Sequence, residues 1–250
     1  MTATASELAR RRGSYGVDAP YVPLFMGAGA ALALVIAIAS AFAGTAELAV
    51  AASYFAFFML LSLADYLYAS LFGKFAVWAE LLRSLELRGE ERLLDLGCGR
   101  GAVILMAAKL IPRGRAAGID LWKSSDQSGN APEVTKRNAG LEGVADRVDL
   151  RTGDMRALPF ADGSFDVVVS GLAIHNIRDA AGRAKAIDEA VRVLRPGGRI
   201  LIVDINAARE YEARFRQLRM AEVDRRLLGP RMWFGGPWVA ASVVRARKSA

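Results

Sequence analysis

The spacing of hydrophobic residues changes character along the chain, and each change predicts a different kind of element. Residues 21–43 carry no charged side chain, and neither do residues 48–64. Each run approaches or exceeds the roughly 20 residues that span a hydrocarbon core. The link between them, Gly44-Thr45-Ala46-Glu47, predicts a tight antiparallel helical hairpin. Gly27, Gly29, Ala31 and Ala33 on the first helix allow close helix packing. Phe75, Trp78, Leu81, Leu82 and Leu85 then recur at helical spacing, predicting an amphipathic connector. Beyond it, short apolar runs alternate with amphipathic segments. Strands are predicted near 92–96, 116–121, 148–151, 165–170, 199–205, 221–227 and 239–247, and helices near 102–110, 132–141, 178–194 and 207–216. Such alternation predicts an α/β fold, a largely parallel sheet with helices on both faces. The chain thus divides into an N-terminal segment (1–20), a transmembrane α-helical hairpin (21–73), a connector (74–90) and an α/β domain (91–250).

The flanks of the hairpin set an orientation. Arg10, Arg11 and Arg12 precede the first run, Lys74 and Arg83 follow the second, and the link has no Lys or Arg. The positive-inside rule places both termini and the α/β domain in the cytoplasm. Tyr66, Tyr68 and Trp78 are expected to form an aromatic belt at that interface. The first run also imitates a signal peptide ending at Ala41-Phe42-Ala43, but it is long and a second span follows at once. If the second helix continues to about Phe72 it contains Asp65. A carboxylate in a bilayer is costly and often functional; the plainer expectation is that Asp65 reaches the interface or pairs with Lys74.

Hydrophobic residues make up 53% of the 250, and the formal net charge is +7. That balance suits nucleic acid or an anionic membrane surface, and the hairpin favours the membrane. With one cysteine, Cys98, and one histidine, His175, a protein-ligated zinc or iron–sulfur site is not expected.

The candidate chemistry starts at Leu93-Leu94-Asp95-Leu96-Gly97-Cys98-Gly99-Arg100-Gly101, between the first predicted strand and its helix. Glycine lets the backbone turn sharply and lets a ligand approach without a Cβ in the way. A helix N-terminus offers unpaired N–H groups to anionic or polar ligands. The dinucleotide pattern is G-x-G-x-x-G, whereas the spacing here is G-x-G-x-G. Asp120, at the end of the next strand, is placed to accept from two ribose hydroxyls, unless it is simply a solvated loop carboxylate.

Further motifs follow in order: Gly153-Asp154-Met155, Leu158-Pro159-Phe160, Ser164-Phe165-Asp166-Val167-Val168 and Val193-Leu194-Arg195-Pro196-Gly197-Gly198. With the glycine loop, residues 92–206 resemble the class I S-adenosylmethionine (SAM)-dependent methyltransferases, in the branch that includes ubiquinone/menaquinone-biosynthesis enzymes. The resemblance implies a Rossmann-like seven-stranded sheet with an antiparallel last strand, and SAM as cofactor. It implies that Asp95, Gly97, Gly99 and Gly101 hold the amino-acid part of SAM. Asp120, with Leu121 beside it, would bind the ribose. Asp154 would accept from the adenine amino group, Met155 would pack on the ring, and Ser170 would lie beside the methyl donor.

Two segments are long for tight loops: residues 121–130, which could cover SAM, and 171–177, where an acceptor would be positioned. His175 lies in the second and suits a general base, or else is a structural histidine. Cys98 reads as a small residue in the loop rather than a nucleophile. With no inserted subdomain, the acceptor pocket is expected to borrow from residues 15–20 or from the basic-aromatic stretch Arg225, Arg226, Arg231, Met232, Trp233, Phe234 and Trp238. That stretch could equally face anionic headgroups, or be ordinary packing of the last hairpin.

These features lead to an expected function: a membrane-anchored methyltransferase acting on a lipophilic small-molecule acceptor (lipid, quinone-type or thiol) at the cytoplasmic face. Its partners would be SAM, that acceptor and membrane lipid, without nucleic acid or metal. The oligomeric state is open, a hairpin-mediated dimer included. Two other classes stand beside it: a membrane-tethered NAD(P)-dependent oxidoreductase and a non-catalytic SAM-binding assembly protein.

Overall fold

In the computed structural model, which describes residues 4–249, the two charge-free runs fold as α2 (Tyr21–Phe42) and α3 (Ala46–Tyr68), after a short α1 (Ala5–Ala9). Residues 1–3 and 250 of the expected segments lie outside the described residues. The two long helices run antiparallel and meet through small side chains. Ala30, Ala33, Ala37 and Ser40 of α2 are buried, as are Ala52, Ala56 and Ser62 of α3. Their large side chains, among them Leu24, Phe25, Leu32, Phe42 and Phe57, point outward and are exposed. Only 17% and 11% of the most apolar windows are buried, so these are not core helices of the α/β fold; both are long and apolar enough to cross a membrane.

The connector is not separate from the second long helix. The chain passes from α3 through a π-helical turn, Ala69–Gly73, directly into α4 (Lys74–Arg83). Relative to an α-helix, a π-turn inserts one extra residue, about 100° of rotation. It therefore turns the helix from the outward-facing apolar pattern of α3 to one that buries Phe75, Val77, Trp78, Leu81 and Leu82. Fully burying each such side chain is worth about 1.5–3 kcal/mol, so α4 ties the hairpin firmly to the α/β core.

That core is built on β1 (Arg92–Leu96), β2 (Arg115–Asp120), β3 (Val148–Thr152), β4 (Phe165–Gly171), β5 (Leu194–Asp204), β6 (Ala221–Leu227) and β7 (Ser242–Arg247). They form one seven-stranded sheet in the order β3-β2-β1-β4-β5-β7-β6. The first five are mutually parallel, and β7 runs antiparallel between β5 and β6. The dinucleotide fold instead has the order 3-2-1-4-5-6; the inserted antiparallel strand sets this sheet apart. Between the strands run α5 (Ala102–Leu110), α6 (Pro132–Glu142), α7 (Ala180–Val193) and α8 (Ala208–Gln217). The Val167-Val168-Val169 run in β4 shows the two-faced burial: Val167 and Val169 join the core with α4 and α5, and Val168 joins the core with α7 and α8.

A second tie joins hairpin and domain. Lys74 is buried and donates to both oxygens of Asp18 at 2.8 Å. The Ser70 hydroxyl donates to Asp18 Oδ2 at 3.0 Å and accepts from the Asp18 N–H at 3.0 Å. The Tyr66 hydroxyl donates to the Asp18 carbonyl at 2.6 Å. Two expectations change as a result. Lys74 pairs with Asp18 rather than Asp65, because the π-turn brings Lys74 around to the N-terminal segment; Asp65 faces the backbone N–H groups of Gly235 and Gly236. The aromatic belt also shrinks: Tyr66 and Trp78 are buried in protein, and only Tyr68 is exposed.

Removing one member of a buried ion pair strands the other charge and costs about 3–5 kcal/mol. Asp18→Ala is therefore expected to lower the thermal midpoint of the detergent-solubilised protein markedly. Combining it with Lys74→Met should recover most of the loss. An unchanged midpoint in the single variant would remove this pair from the structural account.

Candidate functional site

A cavity of about 810 Å³ opens beyond the carboxyl ends of β1, β2, β4 and β5, where ligands bind in open α/β sheets. One end is the glycine loop. Gly97 adopts φ +71°, and a Cβ there would sit 2.2 Å from the Ala173 Cβ, so only glycine lets this loop abut the loop after β4. Gly101 caps the N-terminus of α5 in a left-handed conformation. It does not line the cavity, although Asp95, Gly97, Cys98 and Gly99 do.

Asp95 is buried to 1% exposure. One carboxylate oxygen accepts from the Ile104 N–H at 3.0 Å, and the other has no partner. Burial pushes its pKa well up, and the nearby Asp120 adds to the shift. A cationic ammonium brought to the free oxygen would relieve both penalties, which fits the amino-acid end of SAM. Asp120 accepts from Gly99 N–H at 2.8 Å with one oxygen and from Trp122 N–H at 2.6 Å with the other. These bonds fix the carboxylate at the cavity wall with Leu121 beside it. Asp154 and Met155 line the same end; Asp154 is held by Arg156, whose guanidinium lies 2.6 Å away and lowers its pKa. Ser170 departs from expectation. It is fully buried, donates to the Leu96 carbonyl at 2.8 Å and does not line the cavity, because its side chain ties β4 to β1. Cys98 is buried and burial raises its thiol pKa, which fits a small residue of the loop.

The 121–130 loop lines the cavity through Leu121, Lys123, Ser125, Asp126, Gln127 and Asn130. The N-terminal segment straps it down: Ala19 N–H donates to the Asp126 carbonyl at 2.9 Å, and Ser128 N–H donates to the Val17 carbonyl at 3.0 Å. The glycine loop is strapped too, as Arg100 donates to the Ser128 carbonyl at 2.5 Å and the Ser14 hydroxyl at 3.0 Å.

The other end of the cavity holds His175. Its Nδ1 hydrogen-bonds to Asp204 Oδ1, and its N–H donates to Asp204 Oδ2 at 3.0 Å. Asp204 is buried to 1% and also accepts from Tyr211 hydroxyl at 3.0 Å and Ile205 N–H at 2.9 Å. Burial disfavours a charged imidazole, but the Asp204 carboxylate outweighs it and raises the His175 pKa above the usual value. Asp204 and Tyr211 were not singled out from sequence. The signal was there: Asp204 closes the apolar run of β5 as Asp120 closes that of β2. Around this dyad stand Trp78 of α4, Asp18, Tyr21, Val22 and Met26 from the N-terminal side, and Phe234 and Trp238 from the loop before β7. Each segment expected to complete the pocket thus lines it in part, through Asp18 and Ala19 and through Phe234 and Trp238, whereas Arg225 and Arg231 pair instead with Glu212 and Glu80. Leu172 and Asn206, which also line it, have φ of +56° and +63°. Left-handed backbone is rare for leucine, and strain of this kind concentrates where loops shape functional sites.

Residues 94–202 match the family model described as a methyltransferase domain. Over 135 residues, 54% of this chain and 50% of the relative, the chain is 34% identical to the ubiquinone/menaquinone biosynthesis C-methyltransferase UbiE of Roseobacter denitrificans. It is 31% identical over 134 residues, 53% of this chain and 50% of the relative, to the demethylmenaquinone methyltransferase of Symbiobacterium thermophilum. The chain thus spans about half the length of the curated relatives it matches. Among solved structures, geranyl diphosphate C-methyltransferase from Streptomyces coelicolor, bound to geranyl diphosphate and S-adenosyl-L-homocysteine, superposes with a TM-score of 0.57 at 18% identity, covering 72% of this chain and 80% of that one. The YcgJ protein from Bacillus gives 0.53 at 21% identity, covering 70% and 98%. Fold, glycine loop and family-model match agree, and they favour a methyltransferase over the oxidoreductase alternative: behind its apolar hairpin, residues 94–202 of the chain match a methyltransferase domain, on a sheet shared with solved SAM-dependent methyltransferases.

Proposed function

We propose that the protein is a membrane-anchored methyltransferase acting on an apolar or amphiphilic small molecule (a lipid, a quinone-type phenol or a lipophilic thiol) at the cytoplasmic face. The observation that carries this is the continuity of the cavity, from Asp95 and Gly97 to Tyr21, Val22 and Met26 of α2. A water-soluble acceptor would gain nothing from a cavity that ends on a charge-free helix. The basic flanks of the hairpin support the cytoplasmic placement, and the quinone-biosynthesis names of the relatives support the quinone-type arm. In this reading residues 1–20 strap the site, 21–73 anchor it, 74–90 link anchor to core, and 91–250 bind donor and acceptor.

SAM, when bound, supplies a methyl group on a positively charged sulfonium. Asp95, Gly97 and Gly99 would hold its amino-acid end, Asp120 and Leu121 its ribose, and Asp154 and Met155 its adenine. Positioning supplies much of the rate of such a displacement. The remaining task for this chain is the acceptor proton. With Nδ1–H donated to Asp204, His175 presents a bare Nε2 to the cavity, the form that accepts a proton. His175 takes the proton from the acceptor's O–H, N–H or S–H. Asp204 acts as a positioning residue that fixes the tautomer and stabilises the imidazolium. Tyr211 and the Ile205 N–H hold Asp204 in turn.

Four results are expected. Asp120→Ala should abolish SAM binding by calorimetry with the circular-dichroism spectrum unchanged; unaltered affinity would overturn the donor site. With labelled SAM and membrane extract, label should enter the lipophilic fraction; transfer confined to water-soluble acceptors would overturn the acceptor class. His175→Ala should lower kcat by about 10²–10⁴. Because Asp204 raises the His175 pKa, the active neutral form accumulates at higher pH than it would without that carboxylate. Asp204→Asn should therefore move the rising limb of the kcat–pH profile to lower pH while lowering its plateau. A limb that stays in place would exclude His175 as the base.

A further inference from the structure

The loop before β7 lies against the membrane helices. A Cβ at Gly73, in the π-turn, would be 1.8 Å from the Arg231 carbonyl oxygen. Arg231 also donates twice to Glu80 of α4, at 2.6 and 2.8 Å. Gly235, at φ +98°, approaches so closely that a Cβ would come within 2.7 Å of Met26 Cε of α2. The Asp65 carboxylate of α3 faces the N–H groups of Gly235 and Gly236. Phe234 sets its ring edge to face with Tyr66 at 5.6 Å, and Trp238 packs on Phe58 of α3 at 5.5 Å. This is a built seat, docked on both helices.

Its depth follows from the helix. Met26 comes five positions after Tyr21, the first residue of α2, or about 8 Å along the axis. Phe58, on which Trp238 packs, comes ten positions before Tyr68, the last residue of α3, or about 15 Å along the axis, so the loop tip reaches past Met26 to the level of the apolar side chains of the hairpin. Trp238 is 62% exposed there, yet it also lines the cavity that contains His175.

We propose that residues 229–239 form a third membrane-seated element, and that Phe234 and Trp238, with Val22 and Met26, make a subsite that takes the apolar tail of the acceptor directly from the leaflet. This rests on the acceptor class proposed above. Trp238 is the specificity-determining side chain, because it bridges the lipid-facing surface and the cavity.

The test uses the full-length protein in phosphatidylcholine vesicles, with and without bromine on the acyl chains. Trp238 is one of four tryptophans; Trp78 is buried in protein. Bromolipid quenching of the tryptophan emission should fall by at least half in Trp238→Phe, with SAM affinity unchanged by calorimetry. In the same vesicles, binding of 4-alkylphenols with four to twelve tail carbons should tighten steeply with tail length, by up to about fourfold per methylene, once corrected for their partitioning into protein-free vesicles. Trp238→Ala should flatten that dependence. Quenching equal to wild type in Trp238→Phe would overturn the membrane seat. Reduced quenching with an unaltered tail-length dependence would overturn the subsite. If both arms behave as expected but no lipophilic acceptor is methylated, the tail subsite is supported and the proposed reaction falls.

Discussion

A buried lysine at the first position of a helix that leaves an apolar hairpin has to be neutralised, and Lys74 has no carboxylate on its own helix that reaches it. Its partner is Asp18, more than fifty residues earlier in the chain. That single pairing dictates where the N-terminal segment runs. Once Asp18 is fixed, Val17 and Ala19 fall beside residues 126–128 and make a short antiparallel contact with them. The far end of that loop brings Asn130 to within 3.2 Å of Asp120. A chain of polar contacts thus runs from the membrane interface to the carboxylate expected to hold the ribose. Upstream, Glu142 gathers the Arg12 and Gly13 N–H groups, the Tyr15 hydroxyl and Lys109, so the strap is pinned at both ends.

What could be read in the sequence is what local pattern encodes. Charge-free runs, the 2.0 and 3.6 periodicities and the glycine loop are local, and they placed the hairpin and the alternating strands and helices; the family resemblance of the motifs added Asp95, Asp154 and Met155, which line one cavity with Asp120. Partnerships across long separations are not local. Nothing near Lys74 says that its carboxylate is Asp18 rather than Asp65; the π-turn, which changes the facing of every later residue in the helix, decides it. Ser170 was misplaced for a related reason. Alternation in β4 directs each side chain to one face or the other, but it does not tell a residue at the mouth of the site from one tied to the neighbouring strand.

Asp204 shows the intermediate case. An acid at the end of an apolar strand is visible in sequence, and β2 offers the same signal in Asp120. Its role is not visible, because it depends on which donors surround it. Asp95 and Asp204 are equally buried, yet they are suited to opposite tasks. Asp95 leaves one oxygen without a donor, so it retains capacity for a cationic ligand group. Asp204 is met on both oxygens, by His175 twice, Tyr211 and Ile205. It has none to spare for a ligand and can only orient its neighbour.

The same contrast explains why the acceptor end of the site needs the membrane hairpin. The sheet supplies donors and carboxylates at its strand ends, and these suffice for a polar nucleotide-like molecule. They do not supply an apolar wall, because β1, β2, β4 and β5 bury their apolar residues against their own helices. In a domain without an inserted subdomain, apolar walls must come from elsewhere in the chain. Here they come from the first turns of α2, from Tyr66 and Trp78 on the continuous α3–α4 helix, and from Phe234 and Trp238. In the function proposed above, the hairpin would therefore do more than hold the protein at a surface: it would supply the apolar wall beside the His175–Asp204 dyad that an apolar acceptor needs.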